Sequence, residues 1–453
     1  MSFIGIDLGT TFIKGAILDP ETRELRHVRR TPFPAQLEKT APLACEFDPE
    51  EILNAVRTLL SELTAHVADC EGVVMCAQMH GMVLMNSQGE AVSNCVTWRD
   101  QRVVMPHPSG GGSYYQVLNK AIKPQHVRQL GNELDPGRPL SYLYWFAEQG
   151  KLSPGLTPVS LPDFVLSALS HCEPGVELTN AGAYGALNLE TLDWHEEVIE
   201  ALRLDRLHWP KIRPIGEILG NLTVHGKRVP CFTPVGDYQC ALVGALFGRE
   251  EVSLNIATGS QVSRMTETLS LGDYQTRPFF DGKFLNTFTS PPGGRALNVI
   301  VDLLCELPRA QGVNLKDPWE SFIAAAEDVD DTDLEVNLNF FPTPRGDRGR
   351  ISNIRQDNLT MGHLFRAAFH NMAESFYDCA ISLDPSESWK DLLFSGGLAS
   401  KLEILRRTIA ERFDAPYRLP PNPEDTLFGL LILAMVFSGR ARSVEEVVRR
   451  FGQ

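Results

Sequence analysis

Apolar positions along the chain fall into short runs broken by glycine-rich polar tips. Ile4-Gly5-Ile6-Asp7-Leu8 and Phe12-Ile13-Lys14-Gly15-Ala16-Ile17-Leu18-Asp19 flank Gly9-Thr10-Thr11, which predicts a β-hairpin with a polar tip. Glu50 to Val67 has the period of an amphipathic helix, and Val73–Ala77 and Met82–Met85 read as buried strands. Near the start of the second half, Ser253–Ala257 and Gln261–Met265 enclose Thr258-Gly259-Ser260 and repeat the opening pattern. A strand at Leu392-Leu393-Phe394 leads into Ser395-Gly396-Gly397 and a helical stretch from Lys401 to Arg412. Pro420-Pro421-Asn422-Pro423 breaks the chain before Glu424-Asp425-Thr426 opens a buried helix through Leu427–Phe437. That last apolar run contains Gly429 and is too short to span a bilayer.

One strand–turn–strand unit in each half suggests a duplicated domain. A chain of 453 residues is also too long for one compact core. An N-terminal domain over 1–245 and a C-terminal domain over 246–453 are expected. Hydrophobic content of 43% and charged content of 22% are those of a soluble globular protein. The net charge of −15 disfavours nucleic acid and anionic membrane as partners. The basic cluster at Arg26-His27-Val28-Arg29-Arg30 reads as a solvated strand or loop edge. Nine scattered cysteines form no C-x-x-C, and the N-terminus lacks the basic and apolar regions of a secretory signal. A cytoplasmic location with reduced thiols is the expectation. The oligomeric state stays open, a homodimer among the options.

Several segments could carry chemistry. The tip at Asp7 to Thr11 offers backbone N–H groups, two hydroxyls and a carboxylate, a set suited to a magnesium-bound triphosphate or simply to a tight turn. In Thr233-Pro234-Val235-Gly236-Asp237-Tyr238-Gln239, a strand ends at Gly236 and a helix follows. Asp237 is there either a helix cap or a carboxylate placed to accept a proton at the strand-end crevice. Gln78-Met79-His80-Gly81 puts polar groups at a strand break, a polyol contact or a structural histidine. In Thr97-Trp98-Arg99-Asp100-Gln101-Arg102, Trp98 could stack on a sugar, and Asp100 could bind hydroxyls or pair with Arg102. No P-loop, dinucleotide fingerprint, zinc motif or esterase elbow is present, and the Arg345-Gly346-Asp347 tripeptide is taken as chance.

Taken in order, Asp7–Thr11, Gln78–Gly81, Trp98–Arg102, Gly236–Gln239, Thr258–Ser260 and Ser395–Gly397 resemble the FGGY family of carbohydrate kinases over nearly the whole chain. The resemblance implies an α/β fold of two actin-like (ribonuclease H-like) domains with the active site in the cleft between them. It implies transfer of the ATP γ-phosphoryl group to a sugar hydroxyl. It makes Asp237 the general base and Asp7 the carboxylate near Mg²⁺. Thr10 and Thr11, with Lys14 beside them, match the first phosphate turn; Thr258 and Gly259 match the second; Gly396 and Gly397 match the nucleotide turn. Gln78, Met79, His80, Trp98, Asp100 and Tyr238 fall to the sugar. Thr289 to Asn298 looks like the family's Gly-Gly-x-x-Leu segment, and Pro344-Arg345-Gly346-Asp347-Arg348 like its Gly-Glu-Arg loop. Two departures bear on substrate. Tyr238 stands where glycerol kinases and xylulokinases carry a polar residue, and Met79-His80 replaces the Arg-Glu pair of glycerol kinases. The motifs resemble those of ketose kinases of the sedoheptulose and xylulose type. A non-catalytic actin- or chaperone-like nucleotide switch, and a kinase for another sugar or polyol, are the alternatives.

Overall fold

The computed structural model describes residues 2–38, 41–67, 69–341 and 346–452. Pro344 and Arg345 of the proposed Gly-Glu-Arg-like loop lie outside them. The chain forms two compact units. The first comprises Met1–Leu246, Thr266–Leu285 and Pro421–Gln453, and the second Phe247–Met265 and Asn286–Pro420. The chain first changes unit at Leu246/Phe247, then returns twice. Those returns have no counterpart in a reading that divides the chain once.

The core of the first unit is a seven-stranded sheet. Its order is Ile218–Val224, Lys227–Phe232, Cys70–Ala77, Ser2–Leu8, Phe12–Asp19, Glu24–Pro32, with Val235–Gly236 also paired to Cys70–Ala77. Ser2–Leu8 and Phe12–Asp19 form the expected hairpin, with Ile6 opposite Gly15 and Asp7 opposite Lys14. Ser2–Leu8 runs parallel to Cys70–Ala77. Its residues are buried on both faces, so the run is continuously apolar rather than alternating. The edge strand Glu24–Pro32 carries the basic cluster and is largely exposed, as charges at an unpaired edge should be.

The helix expected at Glu50–Val67 forms at Pro49–Thr64. Asp48 caps it by accepting from the Glu50 N–H, and Pro49 occupies the first turn. Ile52, Leu53, Val56, Leu59, Leu60 and Leu63 form its buried stripe. A smaller sheet orders Glu46–Phe47, Cys95–Val96, Met82–Met85 and Thr157–Ser160.

In the second unit, Glu251–Ile256 and Ser260–Thr266 form the second hairpin, with Ser253 opposite Ser263. Asp391–Ser395 runs parallel to Glu251–Ile256, and Tyr417–Arg418 parallel to Asp391–Ser395. A hairpin whose first strand is joined by a later parallel strand thus occurs in both units. Among the described residues, no helix is long and apolar enough to cross a membrane.

Candidate active site

Sheet register gathers the carboxylates of the first unit. Asp7 sits near the C-terminal end of its strand, and Cys76 is its partner on the parallel neighbour. Val235 in turn pairs with Cys76 and Gly236 with Ala77. Asp237 therefore leaves the sheet two strands from Asp7, where parallel strands end and ligands bind in such folds. The helix Asp237–Gly244 starts at once, and its N-cap is Gly236, not Asp237. The capping alternative for Asp237 is thereby removed.

Asp237 is half-buried. Burial, then the nearby Asp7 and Asp425, push its carboxyl up to about 8, while the Tyr238 N–H and Arg277 oppose the shift. Burial also raises Asp7, which is 4% exposed. Its Oδ2 accepts the Thr426 hydroxyl at 2.7 Å, while its buried Oδ1 has no hydrogen-bond partner. Burial pushes Asp425 up to about 6. Lys14, opposite Asp7, holds Glu424 at 2.9 Å, and Arg30 binds the other Glu424 oxygen.

Two chain segments that the sequence does not flag hold Asp237 in place. Thr179 accepts the Gly236 N–H at 2.9 Å, and Asn180 Nδ2 donates to the Pro234 carbonyl at 3.0 Å. Glu177 fixes Thr179 by accepting both its N–H and its hydroxyl. On the opposite side, Asp425–Phe437 packs on Asp237–Gly244 with no room for side chains at two crossings. A Cβ on Gly244 would lie 1.8 Å from the Asp425 carbonyl oxygen, and one on Gly429 would lie 2.0 Å from that of Cys240. Glu424, Asp425 and Thr426 read in sequence only as a helix start.

A chain of hydrogen bonds runs past the first turn. Trp98 Nε1 donates to the Thr10 hydroxyl at 3.3 Å, which donates to Gln78 Oε1 at 3.2 Å. Trp98 is 45% exposed, which leaves a ring face available. Thr11 is exposed at the tip. Met79 is buried and packs against Gly236. His80 adopts φ 69°, a left-handed conformation that disfavours a side chain of its size. Its Nδ1 donates to the Ala183 carbonyl at 2.7 Å. Burial, aided by Arg138 and Arg277, holds the ring neutral by lowering it well below the usual histidine range. The tautomer is then fixed, with Nε2 as an acceptor. Tyr238 lies under the Arg277 guanidinium, 5.7 Å from ring centroid to Cζ.

Asp100 departs from its expected place on the sugar. It is fully buried, and both oxygens are occupied by Arg102, at 2.8 Å to Nε and 2.6 Å to Nη2. The Cys45 N–H adds a bond at 2.8 Å, and Glu46 binds the same guanidinium. The ion pair with Arg102, the other reading of this residue, is what forms. A carboxylate so fully committed has no lone pair to offer a hydroxyl.

In the second unit, a cavity of about 490 Å³ is lined by Thr258, Gly294, Asn298, Trp319, Gly397 and Lys401, among others. The helix Gly294–Ala310 docks its N-terminus on the second turn, where Gly294 and Arg295 donate to the Ala257 and Thr258 carbonyls. Gly396 has φ 88°, and a Cβ there would lie 2.5 Å from the Ile256 carbonyl oxygen, so only glycine fits. A Cβ on Gly397 would meet nothing within 4 Å. A larger groove of about 1450 Å³ in the first unit, beside Arg57, Asn86 and His208, is lined by none of the candidate residues.

Residues 2–244 match the N-terminal domain of the FGGY family of carbohydrate kinases. The human sedoheptulokinase is 23% identical, with 95% of this chain and 96% of that protein covered. A gluconokinase of Bacillus subtilis (strain 168) is 22% identical, with 99% and 90% covered. The crystal structure of xylulose kinase from Rhodospirillum rubrum superposes with a TM-score of 0.85 at 17% identity, covering 99% of this chain and 92% of that one. The fold is the two-domain actin-like one of those sugar kinases. With more than half of its length matched to the family's N-terminal domain, the chain belongs to the FGGY family of carbohydrate kinases, enzymes that transfer phosphate to a hydroxyl of a sugar or polyol.

Proposed function

We propose that the protein is an ATP-dependent kinase of a ketose of the sedoheptulose or xylulose class, with Asp237 as general base. The observation that carries this reading is the half-buried Asp237, raised to about 8 beside Asp7 and Asp425. Such a carboxylate binds a proton tightly enough to take it from an acceptor hydroxyl as that oxygen attacks the γ-phosphorus. The base supplies roughly 10²–10⁴-fold, and positioning with charge stabilisation supplies the rest.

The acceptor lies against His80, Trp98, Gln78 and Tyr238. His80 Nε2 and Gln78 are its hydrogen-bond partners, and the exposed Trp98 face is its stacking surface. Asp100 is no longer in this set. In the first unit the turn at Thr10-Thr11 offers phosphate contacts, and in the second unit the turn at Thr258-Gly259 does so. The cavity beside Trp319 and Gly397 takes the nucleoside.

Mg²⁺ fits the first unit. Asp7 presents a buried oxygen without a partner, the donor a hard cation or its bound water requires. Among the described residues, no group of three acidic, histidine or cysteine side chains could hold a metal unaided, so its other ligands are water and phosphate. Bound there, the ion supplies charge neutralisation on the phosphate oxygens. Lys14 is held by Glu424 and adds positive charge near Asp7.

The test is ADP release by the purified protein with ATP–Mg²⁺ across sedoheptulose, xylulose, ribulose, glycerol and gluconate. Release that depends on a ketose supports the reading. Slow release that no acceptor changes would instead favour the nucleotide-switch alternative.

A further inference from the structure

Behind His80 and Tyr238, five side chains of the first unit close a hydrogen-bonded ring. Arg277 Nε donates to Glu133 Oε1 at 2.5 Å, and Arg138 Nε to Glu133 Oε2 at 3.0 Å. Arg138 Nη2 also donates to Asp135 Oδ2 at 2.8 Å, as does Gln275 Nε2 at 3.2 Å. Arg277 Nη2 completes the ring by donating to Gln275 Oε1 at 3.1 Å. Glu133 is 1% exposed. Burial pushes its carboxyl up, yet Arg277 and Arg138 overcome this and hold it at about 2, so it is ionised throughout the working range.

Two guanidiniums and two carboxylates leave the ring without net charge. Arg138, Glu133 and Arg277 are the charged groups that act on His80, and Arg277 is the one that covers Tyr238. Beside Tyr238 in sequence, Asp237 is acted on by Asp7 and Asp425, while Lys14 is taken by Glu424. A sugar acid offers a carboxylate that needs a cation with donors to spare, ideally a guanidinium fork. Here the Nε of each arginine is turned onto Glu133, with Arg138 Nη2 on Asp135 and Arg277 Nη2 on Gln275.

We infer that this ring makes the acceptor site select a neutral ketose over an aldonate, with Glu133 as the specificity-determining residue that keeps Arg138 and Arg277 from a substrate carboxylate. The inference rests on the kinase reading above and on the acceptor lying at His80 and Tyr238. It separates this chain from the gluconokinase it resembles at 22% identity. Glu133 acts through the arginines and touches no substrate.

The experiment measures kcat/KM for sedoheptulose, xylulose and gluconate with the full chain, as wild type and as Glu133→Gln. The wild type is expected to favour the better ketose over gluconate. Glu133→Gln, which releases guanidinium donors and adds net positive charge, is expected to reduce that preference by roughly tenfold or more while the KM for ATP stays unchanged. A loss shared equally by all acceptors, the mark of a merely structural role, would overturn the inference. Gluconate is also tested as an inhibitor of ketose phosphorylation by the wild type, which needs no variant to fold. No competition at ten times the ketose KM (roughly the span that exposes a weak competitor) supports the inference, and clear competition overturns it. A wild type that releases ADP with no acceptor at all overturns the kinase reading, and this inference with it.

Discussion

Three carboxylates lie close together: Asp7 and Asp425 raise Asp237, and Asp7 raises Asp425. Their proximity has a consequence for stability. In the unfolded chain Asp237 ionises near 3.8, whereas in the fold it holds its proton to about 8. Between those values the unfolded state binds fewer protons, so stability falls as pH rises through this window. Asp237→Asn removes the titration. Its melting temperature is expected to match the wild type near pH 4 and to exceed it by several degrees at pH 8, as is common when a functional charge is removed. Thermal melts across that range check this, and an offset independent of pH would contradict it. The same protonation in the free enzyme means that kcat/KM rises with pH towards a plateau above about 8. For His80, replacement by alanine is expected to raise the sugar KM by roughly tenfold, the scale of one lost hydrogen bond, with little change for ATP. Equal effects on both would remove it from the acceptor site.

Much of this was legible residue by residue. Asp237, Asp7 and His80 stand at polar breaks in apolar runs, which marks them as candidates although each position also admits a structural reading. The partners were not legible, because they come from far along the chain. Lys14 meets Glu424, Asp7 meets Thr426, and Glu133 meets Arg277. Asp100 misled for a related reason: Glu46, which helps bury it with Arg102, lies outside its local motif.

Elements carry the site through close backbone approach. Gly429 lets the helix Asp425–Phe437 cross Asp237–Gly244 against the Cys240 carbonyl. Gly429→Ala must push the helices apart and shift Asp425 and Thr426. A loss of about 1–3 kcal/mol is expected, with a fall in kcat, measurable by denaturant melts and turnover on one preparation. In the second unit, Gly396→Ala forces a Cβ onto the Ile256 carbonyl at an unfavourable φ. It is expected to raise the KM for ATP more than that for sugar; the reverse split would detach this turn from the nucleotide. Element positions were read well from periodicity, and their ends less so. The helix expected at Lys401–Arg412 forms at Glu403–Phe413, with a separate short helix, Gly397–Lys401, before it. The break falls at Leu402, whose side chain is buried and whose backbone leaves the helical region.

At the scale of the molecule, the duplicated hairpin is the feature that the sequence and the fold share. The repeated Gly/Thr tip marked it, because a turn between two apolar strands is a local signal. The interleaving of the units was invisible, since Thr266–Leu285 and the C-terminal segment join the first unit through tertiary packing alone. A net charge of −15 gives no general attraction for a polyanionic nucleotide, so on the proposed reading ATP would be held by local donors and a cation at Asp7. The central claim is that Asp237 performs the proton transfer. Ketose-dependent ADP release by Asp237→Asn, beside wild type and with ATP binding followed on the same sample, tests it most directly. Turnover is expected to fall by roughly 10²–10⁴-fold with ATP binding retained; near-normal turnover would contradict the account.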